Sequence, residues 1–127
     1  MTDKNSPPND TIERAENRAS ENPTLGEHRG YEFNMAIRRI PGGAEYPDEF
    51  AVNVYIPREN ADNIDIVRVD TAHGETHVDR FYLPEGHDRR KHDPIEINRP
   101  EEAVAYFTEG GRWRNWVDRF ESNHGLP

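Results

Sequence analysis

The sequence predicts an α+β domain in which a small antiparallel β-meander of three to four strands is packed by C-terminal helices. Three observations support this class. Residues 1–30 contain few apolar side chains, apolar and polar residues then alternate in several short segments, and the apolar spacing becomes helical after residue 98. A chain of 127 residues has room for one such domain, which we place at residues 31–123.

The first thirty residues are predicted to form an acidic, disordered tail. Their apolar positions are Met1, Ile12, Ala15, Ala19 and Leu25. So few apolar side chains cannot offset an ordering cost of about 1–2 kcal/mol per residue. The domain is therefore expected to begin at Tyr31.

Four segments have the pattern of half-buried strands. Tyr31, Phe33, Met35 and Ile37 alternate with more polar neighbours, and the chain then reaches Pro41. A similar alternation at 50–56 is followed by Pro57, and further strands are expected at 64–70 and 77–83. Successive short strands favour an antiparallel meander.

The C-terminal region is predicted to be helical. Asn98 and Glu101 have the spacing of a capping pair, and Pro100 suits a first helical turn. Gly110 and Gly111 are expected to interrupt the helix. Two groups of apolar residues supply faces for the core: Ala103, Val104 and Phe107, then Trp113, Trp116, Val117 and Phe120. The second group contains aromatic residues able to stack on bases, but its helical spacing favours core packing.

Charge and composition restrict the function. Twenty-five acidic and sixteen basic residues give a net charge of −9, which disfavours diffuse attraction to nucleic acid or anionic membranes. Fourteen of the basic residues are arginine and two are lysine, and such an acidic, lysine-poor composition is typical of halophilic proteins. The absence of cysteine excludes disulfides and thiolate chemistry.

The same composition predicts a cytoplasmic protein with no membrane association. No apolar run approaches the ~18 residues that cross a bilayer, and the N-terminus lacks the apolar segment of a signal peptide.

The segment from Asp70 to Arg80 has the highest density of chemically active side chains, with two histidines, three carboxylates and an arginine. If the third and fourth strands pair so that facing residue numbers add to 147, four pairs formed by alternate residues share one side of the sheet. The expected pairs are Arg68 with Asp79, Asp70 with His77, Ile66 with Phe81 and Ile64 with Leu83.

This arrangement suits cleavage of RNA phosphodiester bonds without a metal or another cofactor. His73 and His77 are candidates for the catalytic acid and base, Asp70 would orient a histidine, and Arg68 would bind phosphate. The expected substrate-binding residues are Arg80, Arg89, Arg90, Lys91 and His92, which include the densest basic run of the chain.

Two other interpretations of these residues stay open. Arg68–Asp79 and Asp70–His77 suit ordinary cross-strand pairs on an exposed hairpin, worth about 0.2–1 kcal/mol each. Alternatively, His73 and His77 with Asp70 or Asp79 suit zinc or manganese. Gly74 argues against the helix that would bring a His-x-x-x-His pair together, so the metal site ranks below the metal-independent one.

The motif Asp70-Thr71-Ala72-His73-Gly74 followed by His77-Val78-Asp79 resembles a family of small uncharacterised prokaryotic proteins of haloarchaeal type. More distantly it resembles the TumE-like toxins of toxin–antitoxin modules. The resemblance implies a small α+β domain, RNA-directed toxicity, and RNA and an antitoxin as partners. Those toxins cluster further histidines after the aspartate, whereas this chain spreads them to His87 and His92. The alternative function is a non-enzymatic interaction module, accessory to a defence or toxin–antitoxin locus or to a larger assembly.

Overall fold

One antiparallel sheet forms the centre of the protein. The computed structural model describes residues 21–71, 75–84, 86–87, 91–92 and 95–127. Within them, six strands follow one another in chain order across the sheet. The strands are β1 (Thr24–His28), β2 (Tyr31–Ile40), β3 (Glu49–Ile56), β4 (Ile64–Asp70), β5 (His77–Arg80) and β6 (Lys91–His92). The predicted α+β class with a meander is confirmed.

The sheet has two strands more than predicted, because β6 pairs beyond β5 and β1 lies in the segment assigned to the tail. Residues 24–28 pair with β2, and the ladder extends backwards because Met35 N donates to Pro23 O at 2.9 Å. Gly26, with φ of +143°, sits at an irregularity in this pairing and faces the indole of Trp113. The prediction that all of residues 1–30 form a disordered tail was therefore wrong for 24–28, and residues 1–20 lie outside the described part.

In the described part of the chain, two helices cover one face of the sheet. They are α1 (Pro100–Thr108) and α2 (Arg112–Asn123), and the chain changes direction between them at Gly110 and Gly111, whose φ angles are +62° and +65°. The predicted interruption at this glycine pair is confirmed. Within the described residues, no helix is long and apolar enough to cross a membrane.

The start of α1 differs by one residue from the predicted capping pair. Arg99 occupies the cap position, and the carboxylate of Glu102 accepts from Arg99 N at 3.1 Å and from Asn98 N at 2.7 Å. Pro100 occupies the first helical position, where its missing N–H costs nothing. Glu102 thus takes the role that the sequence had suggested for Glu101.

The apolar core lies between the helices and this face of the sheet. The rings of Phe33 in β2 and Trp113 in α2 are 5.4 Å apart, and Phe107 and Val117 have no exposed surface. The predicted core role of Trp113, Trp116, Val117 and Phe120 is confirmed. Since successive strand residues point to opposite sides, the other face of the sheet carries the intervening polar residues.

Candidate functional site

The polar face of the sheet is organised in two rows that cross the strands. In the first row, Arg38, Ala51, Asp70 and His77 follow one another on β2, β3, β4 and β5. The second row contains Asn53, Arg68 and Asp79 on β3, β4 and β5. Neighbouring strands are about 4.8 Å apart, so side chains adjacent in a row are within reach of one another.

The predicted pairing of the third and fourth strands is confirmed at its polar end. Arg68 faces Asp79 and Asp70 faces His77. At the apolar end, Phe81 N still donates to Ile66 O at 3.3 Å, but Leu83 N donates to Arg80 O, so the chain turns after β5. The predicted strand to residue 83 therefore ends at Arg80, and the ladder does not reach the expected pair of Ile64 and Leu83.

Arg68 links the two aspartates of the site. Its Nε lies 2.9 Å from Asp70 Oδ2 and 3.0 Å from Asp79 Oδ2, while its Nη2 donates to Asp79 Oδ2 at 2.6 Å. The guanidinium also stacks over the ring of Phe81 at 5.1 Å. Asp79 is only 1 % exposed and Asp70 only 7 % exposed, so Arg68 compensates one of two charges that are largely removed from water.

His77 lies between the other two oxygens of these carboxylates. Its Nε2 is 3.2 Å from Asp70 Oδ1 and 3.5 Å from Asp79 Oδ1. Neither approach has hydrogen-bond geometry, and among the described residues both His77 Nε2 and Asp79 Oδ1 are buried without a hydrogen-bond partner. On the other side of the ring, Nδ1 donates to Glu75 O at 3.1 Å.

The cluster of Asp70, His77 and Asp79 has the donor set of a metal site. One nitrogen and two carboxylate oxygens converge, and these three atoms lie within 4.8 Å of one another. The contact from Nδ1 to a backbone carbonyl is the outer interaction that commonly fixes the orientation of a metal-binding histidine. We call these three residues the DHD cluster.

A pocket of about 180 Å³ adjoins the DHD cluster on the same face. Its lining includes Arg38, Ala51, Arg68 and Asp70, with Glu49 exposed beside them. Ala51 stands between Arg38 and Asp70 in the first row, and its small side chain leaves the space open. Burial and the nearby charge of Arg68 lower the pKa of Arg38 from the ordinary arginine value.

The structure places Arg80 away from the DHD cluster and the backbone of Lys91 next to it, and it does not describe three of the other predicted residues. Arg80 extends on the opposite, helix-covered face, where its guanidinium lies 5.5 Å from the centre of the Trp116 ring. Lys91 and His92 form β6 beside β5, with Lys91 at the register position of Asp79. The predictions for His73, Arg89 and Arg90 lie outside the described residues.

Sequence reasoning missed Arg38 and Ala51. Both belong to the hairpin of β2 and β3, where facing residue numbers add to 89. The alternation of polar and apolar residues in β2 was a signal that Arg38 lies on the polar face, but the pairing of β3 with β4 was needed to bring it into one row with Asp70.

Comparison with known proteins gives one family. The family model described as "Domain of unknown function (DUF7718)" matches residues 38–126, a span that includes the DHD cluster and all the residues that line the pocket. The curated proteins and the solved structures give no match. Since the family model covers more than half of the chain, the protein belongs to the DUF7718 family.

Proposed function

We propose that this domain binds a divalent transition-metal cation through Asp70, His77 and Asp79 and uses it to cleave phosphodiester bonds in RNA. The observation that carries the metal proposal is the buried Nε2 of His77, which faces two carboxylate oxygens and has no hydrogen bond in the part of the chain that the structure describes.

The tautomer of His77 explains why this observation points to a cation. A carbonyl oxygen only accepts, so the contact with Glu75 O places a proton on Nδ1. In the neutral ring, Nε2 then carries a lone pair that is directed toward two negatively charged oxygens. A cation between the three atoms turns this repulsion into three favourable contacts.

Distances and charge fit such an ion. With metal–ligand bonds of about 2.1 Å, adjacent ligands of a tetrahedral or octahedral ion are about 3.0–3.4 Å apart. The separations of 3.2 and 3.5 Å at His77 Nε2 are close to this range. Imidazole and carboxylate ligands suit zinc, manganese or iron, and Arg68 leaves one negative charge of the two aspartates uncompensated.

RNA cleavage is the activity that best uses this cation. A bound divalent ion stabilises charge on a phosphoryl oxygen and makes bound water a better nucleophile. Arg68 adds a fixed positive charge beside the cluster. RNA as substrate also agrees with the resemblance of the Asp70–Asp79 motif to RNA-directed toxins.

A second candidate is the metal-independent ribonuclease that uses His73 and His77 as acid and base. Its support is the 3.2 Å approach of Asp70 to His77, which suits a carboxylate that orients an imidazolium. The same cluster therefore serves two mechanisms that differ in their response to chelators.

Metal binding is tested by titrating the full chain with Mn²⁺ and Zn²⁺ in a calorimeter, and with Mn²⁺ by electron paramagnetic resonance. We expect one site per chain, weakened at least about tenfold in Asp79→Asn and in Asp70→Asn. Asp65→Asn is the matched control. Asp65 lies on β4, as Asp70 does, and an asparagine there retains an oxygen that accepts the hydrogen bond from Asn53 Nδ2. A folded wild-type chain that binds neither ion would overturn the metal proposal.

Activity is tested on mixed RNA in high salt, with and without EDTA, across pH 5–9. The proposal is supported if EDTA abolishes cleavage, Mn²⁺ restores it and the Asp79→Asn variant does not cleave. Cleavage that persists in EDTA but is lost in both His73→Ala and His77→Ala supports the metal-independent candidate instead. If the metal-loaded protein cleaves no RNA, both ribonuclease mechanisms are overturned and the interaction module is favoured.

A further inference from the structure

We propose that the pocket over Ala51, between Arg38 and the DHD cluster, binds a phosphate group, carried by either an RNA backbone or a phosphorylated small molecule. This inference rests on the proposed function and deepens it, because it states which group of the substrate the domain binds. The position of Arg38, the small size of Ala51 and the charge of the cluster support it.

Arg38 is a half-buried cation that lines the pocket. Among the described residues, its guanidinium has no ion pair and no hydrogen bond. The carboxylates of Asp65 and Asp70 act on it only through the longer range of Coulomb attraction, and Arg68 repels it. A partly desolvated guanidinium beside an open pocket is suited to an oxyanion, because its planar fork matches phosphate geometry.

Ala51 determines where the anion would sit. Arg38 and Asp70 are both neighbours of Ala51, on opposite sides, in a row that continues to His77. Two strand spacings of about 4.8 Å separate the backbones of Arg38 and Asp70. A phosphate above Ala51 would therefore have Arg38 on one side and a metal in the DHD cluster on the other.

The charge of the cluster changes sign when it holds a divalent ion. Arg68 and the two aspartates together carry one net negative charge, which disfavours an anion nearby. A divalent cation makes the same group positive and leaves Arg38 as a second positive charge across the pocket. Phosphate is thus expected to bind weakly to the metal-free protein and more tightly to the metal-loaded one.

The test is calorimetric titration of the full chain with inorganic phosphate, in the metal-free and in the Mn²⁺-loaded form. We expect Mn²⁺ to increase phosphate affinity at least about tenfold, and Arg38→Gln to reduce it about tenfold or more in the loaded form. Ala51→Leu, which fills the pocket and keeps every charge, should abolish phosphate binding while Mn²⁺ affinity stays unchanged. Ala36→Leu enlarges an alanine on the same face outside the pocket lining and is the matched control.

The outcomes separate this inference from the proposed function. Mn²⁺ binding without phosphate binding overturns the pocket assignment and leaves the metal site standing. If the chain binds no metal but binds phosphate, and both Arg38→Gln and Ala51→Leu weaken that binding, the pocket assignment is supported and the metal site is overturned. Phosphate binding that neither Arg38→Gln nor Ala51→Leu weakens also overturns the pocket assignment.

Two further ligands identify the source of the phosphate. A dinucleoside monophosphate that competes with inorganic phosphate, while a sugar phosphate does not, assigns the pocket to an RNA backbone. The reverse result assigns it to a phosphorylated small molecule and overturns RNA as the substrate in the proposed function.

Discussion

Arg68 is the residue on which the buried charges of the site depend. It contacts one oxygen of Asp70 and one of Asp79, and its own side chain is 28 % exposed. Removing one partner of a buried ion pair leaves an uncompensated charge, which is more destabilising than replacing the whole group. Arg68 is therefore both a structural and an electrostatic member of the site.

Arg68→Met is expected to lower the free energy of unfolding by about 3 kcal/mol, because two carboxylates would then be buried without a cation. The methionine has a similar length, but it also removes the guanidinium that lies 5.1 Å from the centre of the Phe81 ring. Urea unfolding at neutral pH measures the change, and Arg58→Met at an exposed loop position is the control.

Mn²⁺ should recover part of the stability lost in Arg68→Met, since a ligand that binds only the folded chain stabilises it. Equal unfolding free energies for the wild type and Arg68→Met would contradict the view that the pair of aspartates is charged in the folded protein.

At the scale of elements, the turn between β1 and β2 holds helix α2 through a group of charged side chains. His28 Nε2 and Arg29 Nε lie 2.8 and 2.6 Å from Asp118 Oδ1, and Arg29 adopts a positive φ of 53°. The hydrogen bond from Arg29, followed by that from His28, lowers the pKa of Asp118 below its ordinary value of 3.8.

Asp118→Asn should therefore lower stability at pH 7 by less than about 1 kcal/mol, since the pair is exposed and screened by water. A carboxyl whose pKa is depressed by folding stabilises the protein above its unfolded pKa and loses that contribution as pH falls through the folded value. The difference between Asp118→Asn and the wild type should consequently shrink below about pH 3.8.

Urea unfolding at pH 7, 4.5 and 3 measures this difference, with the exposed substitution Glu59→Gln as control. A difference that grows as the pH falls would show that the charge of Asp118 does not stabilise the contact between the turn and α2.

At the scale of the whole molecule, the N-terminal strand joins the sheet to the C-terminal helix. Besides its pairing with β2, β1 ends at His28, whose ring meets that of Trp113 edge-on at 6.0 Å. Tyr31, which directly follows the turn, donates a hydrogen bond to the backbone oxygen of Pro127. Strand β1 therefore contributes to the same unit as the core.

Deletion of residues 1–28 should lower the Tm by more than about 5 °C relative to deletion of residues 1–20, because about 1 kcal/mol corresponds to some 4–8 °C in a domain of this size. The shorter deletion is the control that assigns the loss to residues 21–28. Thermal melts in molar salt measure both, and equal Tm values would show that β1 is dispensable, as the sequence had suggested.

Sequence patterns alone predict the fold class and the polar end of the β4–β5 hairpin. Alternating apolar residues in 31–37 and 50–56 indicated which sides of those strands are buried, and complementary charges determined that Arg68 faces Asp79. These features are local, since strand periodicity and cross-strand pairing depend on residues near one another in the chain.

Contacts between distant parts of the chain establish the strand role of residues 24–28, the end of β5 and the composition of the site. Thr24–His28 lacks a clear apolar alternation, and it is ordered by backbone bonds to β2 and by Trp113 from the far end of the chain. Likewise, Arg38 and His77 are 39 positions apart and meet in one row through the pairing of four strands. Such contacts depend on how the elements assemble, which local periodicity does not encode.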